Sequence, residues 1–204
     1  MKYNSTQSGF SLVETLVAIT ILLIVIVGPM SIAATAARST SFSSEQVVAF
    51  FLAQEGAEIA QKAREDILLR HFLDVSDGSY LADTWGLFAD TSNSGIYKNC
   101  FSTTGCGLEL KDTDGDGALK TVVDCNVSNS TYEKCKLFYN ETGGRARYTY
   151  TKGLETTPYY RVINFEEISN HEIKVTSTVY WRTGSQRAAQ EVKVETYLFD
   201  VYGN

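Results

Sequence analysis

The chain has 204 residues, a formal net charge of -6 and an isoelectric point of about 5.0. The acidic balance and the lack of a basic stripe argue against nucleic-acid binding, which depends on neutralising phosphates. The hydrophobic fraction of 44% is ordinary for a folded protein. With about 40 residues set aside in an apolar N-terminal arm, the remainder is enough for one soluble domain.

A single charge interrupts an apolar run near the N-terminus. Residues 1–9 are polar, and Phe10–Met30 is then apolar enough and long enough to span a bilayer as a helix. Within this run Glu14 is the only charge, and a charged side chain at the helix centre in lipid costs roughly 2.5–3.5 kcal/mol on the mildest scale. The pattern therefore predicts a partner for this carboxylate, and a role in subunit assembly. The positions of Lys2 and Arg38 favour a cytoplasmic N-terminus.

The helical pattern continues beyond the apolar run. Pro29 predicts a kink or a loosened turn, but not a helix end. From Ser43 onward the pattern becomes amphipathic, and the helix is expected to fade near His71–Phe72. A continuous helix from Phe10 would be on the order of 90 Å long at 1.5 Å per residue, too long for one domain to bury. The predicted apolar face comprises Val48, Leu52, Gly56, Ile59, Ala63 and Ile67.

The middle of the chain, residues 73–144, is predicted to be an irregular region with short strand candidates at residues 78–82 and 137–139. All its cysteines lie beyond the membrane segment, where an even number favours disulfides in an oxidising compartment. Zinc is the alternative, but no Cys-x-x-Cys pair occurs. Of three possible pairings, the sequence-local one is preferred because it closes two short loops: Cys100 with Cys106, and Cys125 with Cys135.

An acidic segment in the same region resembles the start of a calcium loop. Asp112, Asp114 and Asp116 alternate and are followed by a glycine, so that carboxylates converge on an ion while the chain turns sharply. The twelfth position is Val123 and not the usual glutamate, and Asp124 comes one residue late. A solvated Asp-Gly turn explains the same residues equally well.

The last part of the chain carries the strongest strand signal. Four segments, at residues 145–151, 159–168, 172–182 and 190–202, are rich in β-branched and aromatic residues. Short links between them predict an antiparallel meander with one face packed on the amphipathic half of the helix. The predicted class is α+β. The predicted divisions are 1–9 as a leader, 10–42 as an apolar helix and 43–204 as a globular domain, with its helix at 43–72 and its sheet at 145–204.

The segment from Gly9 to Glu14, reading GFSLVE and followed by the apolar run, resembles the type IV prepilins and pseudopilins. The stretches at residues 51–60, 172–181 and 190–199 also look like parts of minor pilins of the pilus-modification type. The resemblance implies a pilin-like fold and cleavage by a prepilin peptidase between Gly9 and Phe10. It further implies N-methylation of Phe10 and an assembly role for Glu14.

The resemblance predicts a structural subunit of a pilus-like or type II secretion-like filament, not an enzyme. Its partners would be other pilin subunits, the peptidase and membrane lipid before assembly. It would be held in the membrane by one span, with its domain outside the cytoplasm, until it joins an extracellular or periplasmic filament. The main alternative is a secreted or tethered domain with a conventional signal peptide, cut after Ala36. An enzyme on a tether is disfavoured because no catalytic constellation is present.

Overall fold

The structure is a computed structural model, and its chain divides into two compact units, residues 1–44 and 45–204. It describes residues 9, 11–73, 84–110, 119–125, 133–142, 145–153, 155–182 and 189–201. The helices are α1 (Leu12–Leu73) and α2 (Thr84–Phe88), with 3₁₀ turns at Lys98–Phe101 and Glu133–Cys135. The strands are β1 (Cys106–Leu110), β2 (Leu119–Asp124), β3 (Lys136–Thr142), β4 (Arg145–Thr149), β5 (Glu155–Ser169), β6 (Glu172–Trp181) and β7 (Gln190–Phe199).

Helix α1 runs without interruption through Pro29, so the helix does not end there, as predicted. Its C-terminal end at Leu73 lies one residue beyond the predicted limit. The globular unit combines the part of this helix after Ser44 with an antiparallel sheet. This is the α+β, pilin-like layout that the sequence predicts.

Strand β5 organises the sheet because it has three neighbours. Along one edge it pairs with β6, which in turn pairs with β7. Along the other edge it pairs first with β3, through Tyr160 opposite Lys136, and then with β1, through Ile163 opposite Cys106. The strands are hydrogen-bonded in the order β2-β1-β5-β3-β4, with β6 and then β7 added to β5 outside this path. Every pair is antiparallel.

The structure corrects two predictions about the sheet. The meander holds for β5, β6 and β7, but β4 pairs with β3 and not with β5. Residues 73–144, predicted as irregular, contain helix α2 and strands β1, β2 and β3. Strand β1 was missed because its five residues, CGLEL, include a glycine and a buried glutamate, which hide the alternation of a strand. The candidate at 137–139 is confirmed within β3, whereas 78–82 lies outside the described residues.

The amphipathic part of α1 packs with the face that the spacing predicts. Leu52, Ile59, Ala63 and Ile67 are buried, and Gly56 is buried with them. The sequence interpretation overlooked four alanines on the same face, which are also buried: Ala49, Ala53, Ala57 and Ala60. Small side chains bring a helix backbone close to a sheet, and each large aliphatic side chain buried between the two contributes about 1.5–3 kcal/mol.

Gly56 marks a point of close contact between helix and sheet. A Cβ atom added there would overlap Ser177 and would lie 2.9 Å from Cδ of Arg161. We expect Gly56→Ala to lower the free energy of unfolding by about 1–3 kcal/mol, because overpacking outweighs the better helix propensity of alanine. Thermal unfolding of the detergent-solubilised chain measures this. Gly28→Ala is the matched control: a Cβ there meets nothing within 4 Å, so the better helix propensity of alanine acts without overpacking and no loss of stability is expected.

Candidate assembly site

The N-terminal end of α1 carries the predicted assembly carboxylate. Gly9 is exposed, and Glu14 is exposed in the first turn of the helix. The amide of Thr15 donates to the carbonyl of Ser11 at 3.2 Å, which closes this first turn. A negative charge at this end of a helix interacts favourably with the helix dipole, by about 0.3–1 kcal/mol at an exposed site. Phe10, the predicted methylation site, lies outside the described residues.

The helix beyond this turn presents apolar side chains on all sides. Every residue from Ser11 to Ser41 is exposed, and Leu12 and Ile24 have exposed fractions of 79% and 74%. An 18-residue window of α1 has a mean hydropathy of 2.7, and none of that window is buried. A helix that is apolar all round belongs in a membrane or inside a larger assembly. By length and composition this segment is a candidate membrane span.

The threonine hydroxyl groups along the exposed helix donate hydrogen bonds within the helix itself. Thr15 Oγ1 donates to the carbonyl of Leu12 at 2.9 Å, and Thr20 Oγ1 donates to that of Val17 at 2.8 Å. Such internal bonds let a hydroxyl enter apolar surroundings without a lost partner. Between Leu12 and Met30 the one ionisable side chain is Glu14. When this segment is buried, the Glu14 carboxylate therefore needs a partner from outside the helix.

A comparison with protein families bears directly on this segment. Residues 4–28 match the family model described as the prokaryotic N-terminal methylation motif. The chain carries a prepilin-type methylation motif. The match includes Gly9, Phe10 and Glu14, and it covers the N-terminal part of the chain alone. Searches of curated proteins and of solved structures gave no match.

The four cysteines form two disulfides in the globular unit. Cys100 joins Cys106, and Cys125 joins Cys135, with Cα–Cα distances of 4.6 and 5.4 Å. All four side chains are buried. The structure thus has the sequence-local pairing that the spacing favours.

The structure describes one of the four predicted calcium ligands, Asp124. Asp112, Asp114 and Asp116 lie outside the described residues. Asp124 is half-buried at the end of β2, with Cys106 as its neighbour across the strands. Among the described residues no group of three potential metal ligands occurs. The calcium site therefore stays a prediction.

The sequence interpretation missed a buried arginine between helix and sheet. The side chain of Arg161, on β5, is fully buried. Its Nη1 donates to Oε2 of Glu55 at 2.7 Å and to the carbonyl of Leu52 at 3.2 Å, both on α1. Its Nη2 donates to the carbonyl of Leu108 on β1 at 3.2 Å, and its Nε donates to the hydroxyl of Tyr150 at 3.0 Å. One side chain thereby joins α1, β1, β5 and the bend after β4.

The electrostatics keep this arginine charged. Burial opposes the charge, but Tyr150 and Glu55 outweigh it and raise the pKa of Arg161. Burial also raises the pKa of Tyr150, so its hydroxyl keeps its proton and donates to the carbonyl of Arg161 at 3.2 Å. The available signal was a lone charge in the largely apolar segment YYRVINF, which forms the middle of β5. It is the same kind of signal that drew attention to Glu14.

Proposed function

We propose that this chain is a minor pilin or pseudopilin, a structural subunit of a type IV pilus-like or type II secretion-like filament, and not an enzyme. The observation that carries the proposal is the methylation motif at residues 4–28. The motif extends into helix α1, whose apolar side chains are exposed on every side as far as Ser41. Such a surface suits first a lipid bilayer and then the interior of a helical assembly.

The proposed mechanism depends on one charge pair. A prepilin peptidase cuts between Gly9 and Phe10 and methylates the new amine of Phe10. That positive amine approaches Glu14 of a neighbouring subunit as the helices leave the membrane. Pairing removes the cost of burying either charge alone, whereas a single unpaired charge would oppose assembly. The apolar helices form the filament interior, with the globular units outside.

The N-terminus of the mature chain tests the processing step. Mass spectrometry of the protein purified from its native host is expected to find a first residue of N-methylated Phe10. A chain that begins at Ala37 would instead identify a conventional signal peptide and overturn the proposal. Deletion of the host's prepilin peptidase should leave residues 1–9 attached.

We also propose that the acidic segment between β1 and β2 binds calcium. Its support is the alternation of Asp112, Asp114 and Asp116 before a glycine. Calorimetric titration should show binding at millimolar Ca²⁺, and replacing all three aspartates with asparagine should abolish it. Unchanged thermal unfolding and no heat at millimolar Ca²⁺ would leave a solvated turn as the correct description.

A further inference from the structure

A cavity of about 200 Å³ lies in the globular unit, beside the end of β7. Helix α1 forms one wall, α2 forms a second, and the residues at and just after the end of β7 form a third. Four apolar side chains line it, those of Leu68, Trp85, Phe199 and Val201. The whole lining belongs to the unit at residues 45–204, so the site does not depend on the apolar arm or on the proposed filament.

The volume limits what this cavity can hold. Sites for cofactors and other drug-sized molecules are usually about 300–1,000 Å³, so this one is too small for them. A cavity of about 150 Å³ holds one benzene ring, so there is room here for one large side chain. Phe199 and Val201 are 52% and 68% exposed, and an apolar group in the cavity would cover part of that surface.

Hydrogen bonds hold the walls of the cavity in place. Nε1 of Trp85 donates to the carbonyl of Asn170 at 2.7 Å, which ties α2 to the turn between β5 and β6. Nη1 of Arg64 donates to the carbonyl of Phe199 at 3.1 Å, which ties α1 to the end of β7. The cavity is therefore preformed, and a ligand does not have to order its walls.

The charges around the cavity favour a neutral ligand that accepts a hydrogen bond. Nε of Arg64 is buried and has no hydrogen-bond partner among the described residues. Its Nη2 lies 3.8 Å from Oε1 of Glu65, which is too long for a hydrogen bond. Nη2 is thus left to donate to a bound group. The carboxylates of Glu65 and Asp200 oppose an anionic ligand, and the guanidinium opposes a cationic one.

Tyrosine is the side chain that combines these properties. Its ring is apolar and packs well against an indole, and its hydroxyl oxygen accepts hydrogen bonds while the group stays neutral below a pKa of about 10. Phenylalanine has no acceptor, and tryptophan only donates. We propose that this cavity receives one tyrosine side chain of a partner protein, with its ring against Trp85 and its hydroxyl accepting from Nη2 of Arg64. Aromatic side chains seated in pockets carry much of the binding energy at protein interfaces.

Capped tripeptides test this assignment on the detergent-solubilised full chain. Adding acetyl-glycine-tyrosine-glycine-amide should shift the indole N–H resonance of Trp85. The resonance of Trp181, buried at the far end of β6, should stay in place. Phenylalanine in place of tyrosine should weaken binding at least about tenfold, because one hydrogen bond to a charged group is lost. Peptides with glutamate or lysine at the centre should bind more weakly than the tyrosine peptide.

Substitutions in the lining identify the groups responsible. Arg64→Met keeps an aliphatic stem but removes the donor, so the tyrosine and phenylalanine peptides should then bind equally. Leu68→Trp fills the cavity and should leave no response to either peptide. Arg182→Met is the matched control, since Arg182 is exposed at the far end of β6, and it should bind as the wild type does. Thermal unfolding shows that each variant is folded.

Several outcomes would overturn the inference. They are no shift with the tyrosine peptide, equal affinity of the wild type for the phenylalanine peptide, and tighter binding of the glutamate or lysine peptide. Binding of p-cresol without binding of the tyrosine peptide would also overturn it, because the site would then suit a free phenol. Glu14→Ala should leave peptide binding unchanged, so failure of this inference and failure of the proposed function are separate results.

Discussion

Replacing Glu14 with alanine is expected to remove the chain from filaments while leaving its globular unit folded. In the proposed assembly the variant leaves the N-terminal amine of a neighbour without a partner inside an apolar core. Breaking a buried pair in this way costs about 3–5 kcal/mol, so incorporation should fall by at least about 100-fold. The measurement is the ratio of sheared to cell-associated subunit on immunoblots.

Two further variants separate charge from shape. Glu14→Gln keeps the size of the side chain and should fail as alanine does, because the carboxylate charge is what the amine requires. Glu58→Gln is the matched control, since Glu58 is an exposed carboxylate on the polar face of the same helix. Assembly of Glu14→Ala at the wild-type level would contradict the assembly role of this residue.

Replacing Arg161 with alanine is expected to lower the free energy of unfolding by about 2–4 kcal/mol. The variant leaves a cavity and removes the donor from the carbonyl of Leu108 and from the hydroxyl of Tyr150. Glu55 contributes less to the loss, because its side chain is 42% exposed and water replaces the missing partner. Thermal and denaturant unfolding of the detergent-solubilised chain provide the measurement.

Arg64 supplies the control for this prediction. Its guanidinium also donates to a backbone carbonyl, that of Phe199 at 3.1 Å, but its side chain is 21% exposed. Arg64→Ala should therefore cost less than about 1.5 kcal/mol, the value of an ordinary hydrogen bond. An equal loss of unfolding free energy in the two variants would contradict the prediction that burial increases the contribution of the Arg161 contacts.

Local sequence predicts where most of the later strands lie, but not which strands pair with one another. Alternation of apolar residues predicts β5, β6 and β7, and the short turn at residues 170–171 predicts that the first two of them pair. It does not reveal that β4 turns back onto β3, or that β1 reaches β5 from more than 50 residues away. Both pairings depend on the tertiary fold, because they are formed along the edge of β5 that β6 leaves unpaired.

The sequence by itself determined the features of this protein that depend on spacing along one element. These are the apolar run with Glu14, the buried face of α1 and the preference, among three possible disulfide pairings, for the one that closes two short loops. Only the tertiary structure decided the position of Arg161, since its partners come from α1, β1 and the bend after β4. A lone charge in an apolar segment signals that a partner exists. Which partner it is depends on which elements the fold, or the filament, places beside it.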